Sequence, residues 1–296
     1  MVKIAIDRKR CTMDGMCAVV CPVDIFVQRE RATVPELVGE ERCISCGHCM
    51  AICPSGAISH SAFPPGSVSP IEFDKIPSPE QVTELLKTRR SIRAFQEKPL
   101  AKETLEEIID GARSAPSAHN AQSTEYLVVL DGAVLSQVSA VTIEYLRFEV
   151  GRLNNLFLKT LLSLVDRELL ELGLREIPGF ERIIRKFEAG QDPILHRAPA
   201  LLVFHARRNL DFGVADAHLA LQNASLLAHS MGVGHFFTGY VLAACRVPMS
   251  RAWSRRIPDL IGIPAENEIH GALALGYPVP KFKKWIERKP ARIQWV

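Results

Sequence analysis

Residues 43–54 read Cys43-Ile-Ser-Cys46-Gly-His-Cys49-Met-Ala-Ile-Cys53-Pro54, and their spacing decides how the chain is organised. The pattern is C-x2-C-x2-C-x3-C-P, which places three thiolates around one tight loop and a fourth just beyond it. Structural zinc is the alternative, but zinc modules pair two C-x2-C units across a longer loop. The spacing therefore indicates an iron–sulfur cluster.

An earlier stretch repeats this register with one change. It reads Cys11-Thr-Met-Asp14-Gly-Met-Cys17-Ala-Val-Val-Cys21-Pro22, so Asp14 stands where the later block has a cysteine. Two interpretations of Asp14 stay open. It is either an iron ligand or a turn residue before Gly15, and in the second case the first cluster has three irons.

Composition limits the classes of protein that the chain can belong to. Its 296 residues are 47% hydrophobic and 23% charged, as in globular domains. The formal net charge of +3 provides no field for wrapping nucleic acid. The start, MVKIAIDRKR, lacks the apolar core of a signal peptide, and no apolar run is long enough for a membrane span. We therefore expect a cytoplasmic protein with neither nucleic acid nor a membrane as partner.

The distribution of cysteine and proline predicts two domains. Residues 1–58 form a cysteine-rich unit, and residues 59–79 form a linker with five prolines. The second domain covers residues 80–296, and its first helix is marked by an N-cap and a capping-box glutamine at Ser78 and Gln81. Helical and strand patterns alternate there, which predicts an α+β fold with one covered sheet. Helices are expected over 79–90, 101–113, most of 133–190 and 214–231, and strands over 126–130, 200–204, 235–241 and 269–275.

The N-terminal unit resembles the two-cluster ferredoxins, including those with an aspartate at the position of Asp14. This resemblance implies two iron–sulfur clusters, one [4Fe-4S] and one that is either [4Fe-4S] or [3Fe-4S]. The ligands that it implies are Cys11, Cys17 and Cys53, with Asp14, for the first cluster and Cys43, Cys46, Cys49 and Cys21 for the second.

Three stretches of the second domain carry another resemblance. They are Arg89-Arg90-Ser91-Ile92-Arg93-Ala94-Phe95, Ala115-Pro116-Ser117-Ala118-His119-Asn120-Ala121-Gln122 and Gly271-Ala-Leu-Ala-Leu-Gly276-Tyr277-Pro278. In this order they resemble the nitroreductase family of FMN enzymes, over essentially residues 80–296. The whole chain thus resembles a ferredoxin–nitroreductase fusion, in which a small ferredoxin-like domain precedes an FMN-binding α+β domain.

This second resemblance implies a set of FMN contacts. The FMN phosphate is a dianion that needs guanidinium forks, ammonium groups or exposed backbone N–H groups. By the resemblance, Arg89 and Ser91 contact the phosphate and ribityl chain, and Arg93 lies beside N1 and O2 of the ring. The N–H of Gly239 faces N5. The full implied set is Arg89, Arg90, Ser91, Arg93, Pro116, Ser117, Asn120, Gln122, Thr238, Gly239, Arg288 and Lys289.

Several of these contacts carry further implications. Pro116, Ser117 and Asn120 match positions that reach the flavin of the neighbouring subunit, which implies a homodimer with FMN at its interface. Arg288 and Lys289 match the closing phosphate contacts, with a solvated charged tail as the alternative.

The chain departs from the family at Ser123-Thr124, where Pro-Trp is common. Residues 133–190 lie where the family varies most, so we expect them to select the substrate.

The two resemblances together imply an oxidoreductase. Electrons would pass from the iron–sulfur clusters to FMN and then to a small organic acceptor such as a nitro compound, an activated alkene or a quinone. His119 and Tyr240 are candidate proton donors, with packing roles as the alternative. An external ferredoxin or NAD(P)H is the candidate donor.

Two rival functions stay open. The first is an electron-transfer or redox-sensing protein that acts on a protein partner. The second is a nicotinamide-dependent flavoenzyme, although the sequence has no strand–GxGxxG–helix unit for a dinucleotide.

Overall fold

The computed structural model describes residues 3–157, 159–160, 166–247 and 250–296. These residues form two compact units. The first consists of the chain up to Pro77 together with Ser117–Ala121, and the second consists of Ser78–Pro116 and the chain from Gln122 onward.

The first unit contains two small antiparallel sheets and two short helices. Its N-terminal strand pairs with a later strand in the register Ile4↔His60 and Ile6↔Ile58. Ser59 and His60, which the sequence assigned to the linker, are therefore strand residues. The elements are β1 (Ile4–Ile6), α1 (Met16–Val19), β2 (Phe26–Val27), β3 (Glu36–Leu37), α2 (His48–Ile52) and β4 (Ile58–His60), with 3-10 turns at Glu40–Arg42, Phe73–Lys75 and Ala118–Asn120.

The second unit is an α+β domain, which confirms the predicted fold class. A four-stranded antiparallel sheet has the order β5-β6-β8-β7. Its elements are α3 (Pro79–Thr88), α4 (Lys102–Arg113), β5 (Glu125–Val129), α5 (Gly132–Asn154), α6 (Arg167–Glu188), β6 (Ala200–Arg207), α7 (Gly213–Ser230), β7 (Gly234–Phe237), α8 (Gly239–Ala244), α9 (Arg251–Leu260) and β8 (Asn267–Gly276).

Both faces of this sheet are covered by helices. Successive side chains of a strand point to opposite faces, so Leu201 and Val203 enter one core while Leu202 and Phe204 enter the other. The first core is closed by α5, α8 and α9, and the second by α4 and α7. This two-sided burial explains why β6 reads as an unbroken apolar run.

The helix boundaries follow local chemistry where the sequence shows it. The Ser78 hydroxyl accepts a bond from the Gln81 N–H at 3.3 Å, and the Gln81 side chain accepts one from the Ser78 N–H at 2.9 Å. The predicted capping box at the start of α3 is thus present. Residue 158 and residues 161–165 of the predicted helical segment lie outside the described residues. Of the described helices, none is both long enough and apolar enough to cross a bilayer.

The strand predicted over 235–241 was wrong at its end. Strand β7 stops at Phe237, and the chain turns into α8. The Thr238 N–H and hydroxyl both donate to the Ala272 carbonyl oxygen, at 3.0 and 3.2 Å. Val241 is buried because α8 packs against the core, and a short apolar run of this kind does not distinguish helix from strand.

Candidate functional site

The two cysteine loops follow the same backbone path although their second ligand positions differ. Each loop is left-handed two and four residues after its first cysteine, and each then begins a short helix. Positive φ favours glycine, which occupies the second of these positions in both loops. The left-handed residues are Met13 (60°) and Gly15 (72°) in the first loop, and Ser45 (51°) and Gly47 (74°) in the second.

The thiols of the second loop lie close to a cysteine from the first block. Burial raises the pKa of Cys49 to about 11, and the nearby charges of Cys46, Cys43 and Cys21 add to the rise. A buried thiol of this kind ionises readily only when a cation compensates its charge. The structure therefore brings together the four cysteines that the sequence assigned to the second cluster.

The first loop shows a similar grouping. Burial raises the pKa of Cys17, and the charges of Cys11 and Asp14 raise it further. Cys53 differs, because hydrogen bonds from Ser55 and the backbone outweigh the effect of its burial and lower its pKa. Cys11, Asp14 and Cys17 are therefore neighbours, and Cys53 is set up to ionise.

The carboxylate of Asp14 takes part in the turn of its own loop. It accepts a bond from the Met16 N–H at 3.0 Å and one from the Thr12 hydroxyl at 2.8 Å. These bonds, the one from Met16 first, lower the pKa of this exposed carboxyl group. Asp14 is thus an ionised turn residue next to two cluster cysteines, a geometry that accommodates both interpretations of its role.

Within the ranges that the structure describes, no three His, Cys, Asp or Glu side chains converge tightly enough to hold one metal ion. An iron–sulfur cluster binds its thiolates at separate irons, so its ligands do not meet at one point.

The segment Ser117–Ala121 belongs to the first unit and carries unusual backbone geometry. His119 and Asn120 have φ of 52° and 53°, values that cost energy for residues other than glycine. The Asn120 amide donates to the Ser45 carbonyl oxygen at 2.8 Å and to that of Ile44 at 3.4 Å. Asn120, which the sequence assigned to FMN, thus contacts the second cysteine loop.

In the second unit, the edge segment 91–95 positions two of the predicted arginines. Ser91 forms a parallel bridge to His235, and Phe95 forms an antiparallel bridge to Pro278. A side chain on Gly234 would come within 2.9 Å of Ile92, so this glycine permits the close approach. The two bridges thereby fix the position of Arg93, which lies between them, and of Arg89, which lies two residues before the segment.

Three arginine guanidinium groups converge at the start of this segment. Burial lowers the pKa of Arg89, and the positive charges of Arg288 and then Arg90 lower it further. Arg288 comes from the C-terminal tail, whose Trp285 ring lies 4.8 Å from the Lys87 ammonium group. Like charges that are held together repel each other, so this cluster favours an anion such as a phosphate.

A cavity of about 440 Å³ lies beside Arg93, the middle residue of the segment. The predicted residues Arg93, Thr238, Gly239 and Tyr240 all line it. The Arg93 guanidinium carbon lies 5.5 Å from the centre of the Phe236 ring. A cation beside an aromatic wall in a cavity of this size suits a flat cofactor or substrate that gains negative charge.

Sequence reasoning missed His196, which also lines this cavity. Its ring meets the Phe236 ring edge-on at 5.3 Å, and burial, with Arg93 among the nearby charges, lowers its pKa. The Asp192 carboxylate fixes the loop by accepting three backbone N–H bonds at 2.9 to 3.1 Å, from Ile194, Leu195 and Arg197. The available signal was a pair of polar residues, Asp192 and His196, at either end of an apolar Pro-Ile-Leu stretch shortly before a strand.

The remaining predicted residues lie in different places. His119 and Ser117 belong to the first unit and are absent from the cavity lining, whereas Pro116 and Gln122 belong to the second unit. Gln122 has a positive φ of 46°. Lys289 is an exposed tail residue.

Comparison with known families agrees with the two units. Residues 86–277 match the model of the nitroreductase family, and residues 3–54 match the model of the 4Fe-4S dicluster domain. The first match covers more than half of the chain, so the chain belongs to the nitroreductase family and is an oxidoreductase of that type. More particularly, it is a fusion in which the dicluster domain precedes the nitroreductase domain, as the sequence predicted.

Individual relatives cover one domain or the other. An NADH dehydrogenase of Thermus thermophilus is 28% identical over 192 residues, which are 64% of this chain and 83% of that protein. The 7Fe ferredoxin of Hydrogenibacillus schlegelii is 41% identical over 54 residues, which are 18% of this chain and 65% of that one. A solved nitroreductase with bound FMN from Bacteroides fragilis has a TM-score of 0.52 and 20% identity, covers 73% of this chain and 98% of its own, and shares the fold.

Proposed function

We propose that this chain is an FMN-dependent oxidoreductase that accepts electrons at its iron–sulfur clusters, passes them to FMN and reduces a small organic acceptor. The candidate acceptors are nitro compounds, activated alkenes and quinones, and the candidate donors are a ferredoxin or NAD(P)H. The observation that carries the proposal is the convergence of Arg89 and Arg288 beside the segment that brings Arg93 into an aromatic cavity.

The arginine cluster is the proposed phosphate site. Arg89 and Arg288 offer guanidinium forks whose mutual repulsion a phosphate dianion would relieve. Ser91 follows Arg89 and Arg90 on the edge segment, and its hydroxyl is the proposed contact of the ribityl chain. Arg90 contributes charge to the same cluster, while Lys289 is the weaker candidate because its neighbour Arg288 is the residue that approaches Arg89.

The cavity is the proposed site of the flavin ring and the acceptor. Bound FMN supplies hydride transfer or single-electron transfer. Arg93 stabilises negative charge that develops at the ring, and the Gly239 N–H, at the first position of a helix, has no acceptor within that helix. Tyr240 and His196 line the cavity, and Tyr240 is the candidate donor of the proton that a reduced acceptor would require.

For the N-terminal domain we propose one [4Fe-4S] cluster and a first cluster that is [4Fe-4S] or [3Fe-4S]. The name of the 7Fe ferredoxin relative supports a set of one three-iron and one four-iron cluster. Thiolate clusters persist where thiols stay reduced, so we also propose a cytoplasmic location.

We further propose a homodimer with FMN at its interface, to which Pro116 and Ser117 of the neighbouring subunit contribute. Val214, Leu219 and Phe237 are 43 to 46% exposed, although each is a large apolar side chain. Exposed apolar surface of this kind favours association with another protein surface. Light scattering of the reconstituted protein should give twice the mass of one chain.

The proposed function is tested by anaerobic reconstitution with iron, sulfide and FMN, followed by metal and flavin analysis. The product is then assayed with viologen as donor and with a nitroarene, an enone and a quinone as acceptors, and the donors NADH, NADPH and reduced ferredoxin are compared. We expect iron, one FMN per chain and saturable turnover. Zinc in place of iron, or absence of flavin, would contradict the cofactor set, and slow unspecific reduction would favour the rival electron-transfer or sensor function.

A further inference from the structure

His60 lies against a cysteine of the second loop, although the sequence placed it in the linker. It is the last residue of β4, and its side chain is only 5% exposed. Its Nε2 atom lies 3.4 Å from the Sγ atom of Cys43, the first thiol of the second cluster motif. Its ring is held against the Phe63 ring, with centroids 4.9 Å apart.

The hydrogen-bond network determines which nitrogen of His60 carries the proton. The backbone N–H of Ala62 donates to Nδ1 at 3.1 Å, so Nδ1 is an acceptor. A neutral imidazole has one donor and one acceptor nitrogen, which leaves the hydrogen on Nε2. The contact with Cys43 is therefore an Nε2–H bond donated to sulfur, and it fits a thiolate that binds iron.

We propose that His60 tunes the reduction potential of the second cluster through this hydrogen bond. Reduction adds one negative charge, which is shared by the iron, sulfide and thiolate atoms, and a donor to the thiolate stabilises the reduced form more than the oxidised form. His60 thus raises the potential of the cluster that Cys43 binds. It is a positioning residue that acts through Cys43, and the inference rests on the clusters of the proposed function.

The first cluster provides an internal control. Cys53, which the sequence assigned to that cluster, has a sulfur that accepts bonds from a different set of groups, the Ala57 N–H at 3.3 Å and the Ser55 hydroxyl at 3.6 Å. A change at His60 should therefore leave the first cluster unaffected. Ser55→Ala is the matched variant, since it removes a donor near the first cluster and leaves His60 in place.

The test compares the parent with His60→Leu, His60→Gln and Ser55→Ala. The reduction potential of each cluster is titrated, with electron paramagnetic resonance as the readout. Leucine fills the site without a donor, whereas the glutamine amide supplies an N–H. His60→Leu should shift the one-electron equilibrium of the second cluster about tenfold toward the oxidised form, which is 59 mV. His60→Gln should lie nearer the parent, and Ser55→Ala should leave the second cluster unchanged.

The proposal would be overturned by an unchanged reduction potential of the second cluster in His60→Leu, or by equal shifts in the potentials of both clusters. It would also be overturned if the potential in His60→Gln were as low as that in His60→Leu. A second measurement covers the case in which the leucine variant does not load. Pulsed resonance on ¹⁵N-histidine-labelled protein carrying His48→Gln, which removes the histidine of the cysteine loop itself, should show a histidine nitrogen coupled to the reduced second cluster, and absence of that coupling would also overturn the proposal. Neither measurement involves FMN or an acceptor, so the result does not depend on whether the proposed turnover occurs.

Discussion

The two units of this protein build their sites in opposite ways. In the first unit, closely spaced residues of two short loops supply the thiols, and the same left-handed positions recur in both loops. In the second unit, Arg89 near the start of the domain sequence lies close to Arg288 of the C-terminal tail, and Arg93 lines one cavity with His196 and Gly239. The first site depends on local spacing, and the second depends on how a whole sheet and its helices are packed.

The largest effect is expected from exchanging the residues at the second ligand position of the cysteine motif, where one loop has Asp14 and the other has Cys46. A carboxylate binds a fourth iron less firmly than a thiolate does, so mild oxidation should convert the first cluster to a three-iron form. Asp14→Cys should remove the three-iron resonance signal of ferricyanide-treated protein, and Cys46→Asp should add one from the second cluster. Equal three-iron signals in the parent and in Asp14→Cys would show that Asp14 is only a turn residue.

Because packing buries histidine side chains in the second unit, acid should lower the free energy of unfolding of this unit. Burial lowers the pKa of His235 to about 4 from an ordinary value of 6.5, and the edge segment of the site pairs with this residue. Between these pH values the unfolded chain binds a proton that the folded chain does not. Acidification from pH 6.5 to 4 should therefore lower the free energy of unfolding by about 3 kcal/mol.

Urea unfolding of parent and His235→Gln at several pH values measures this slope. The variant should have a flatter slope, with a remainder from His205, His229 and His270, whose burial also lowers their pKa values. Ile108→Val is the control, because it removes a buried methyl group and should cost about 1 kcal/mol at every pH. Parallel slopes for the parent and His235→Gln would refute the assignment.

The C-terminal tail offers a matched pair that tests the assembled phosphate site. Both residues are exposed, but the charge of Arg288 acts on Arg89, whereas Lys289 is not among the charges that lower the pKa of Arg89. Hydrogen bonds to charged groups contribute about 1.5–3 kcal/mol, so Arg288→Gln should weaken FMN binding roughly tenfold to a hundredfold. Lys289→Gln should weaken it by less than about threefold in the same fluorescence titration, because an exposed charge that does not act on Arg89 contributes little. Equal losses of FMN affinity in the two variants would mean that the tail acts only through its net charge.

A smaller effect is expected at the cavity end of the edge segment. Arg93 would face charge that appears on the flavin only when it is reduced, so Arg93→Ala should lower the flavin potential more than it weakens FMN binding. A change of about tenfold in the two-electron equilibrium corresponds to about 30 mV. Arg93→Lys keeps the charge and should recover part of the shift, and a potential unchanged in Arg93→Ala would place this residue away from the ring.

The contrast between the units explains how much could be predicted from the sequence. The dicluster domain was recognisable because cluster binding constrains the spacing of neighbouring cysteines, and the capping box at Ser78 was recognisable for a similar local reason. His60 and His196 were missed because their roles come from a strand pairing and from a loop held by Asp192. The strand predicted through Val241 failed because apolar runs of helix and strand look alike when both are buried.

We propose that electrons entering at the N-terminal clusters reach FMN in the second unit. Cys49→Ser removes a buried ligand of the second cluster and leaves the proposed FMN residues in place. Stopped-flow mixing with reduced ferredoxin should bleach the flavin of the parent after its clusters are reduced. In Cys49→Ser the flavin should bleach at least about a hundredfold more slowly, while direct photoreduction of its flavin stays normal. Equal bleaching rates in the two proteins would contradict the account.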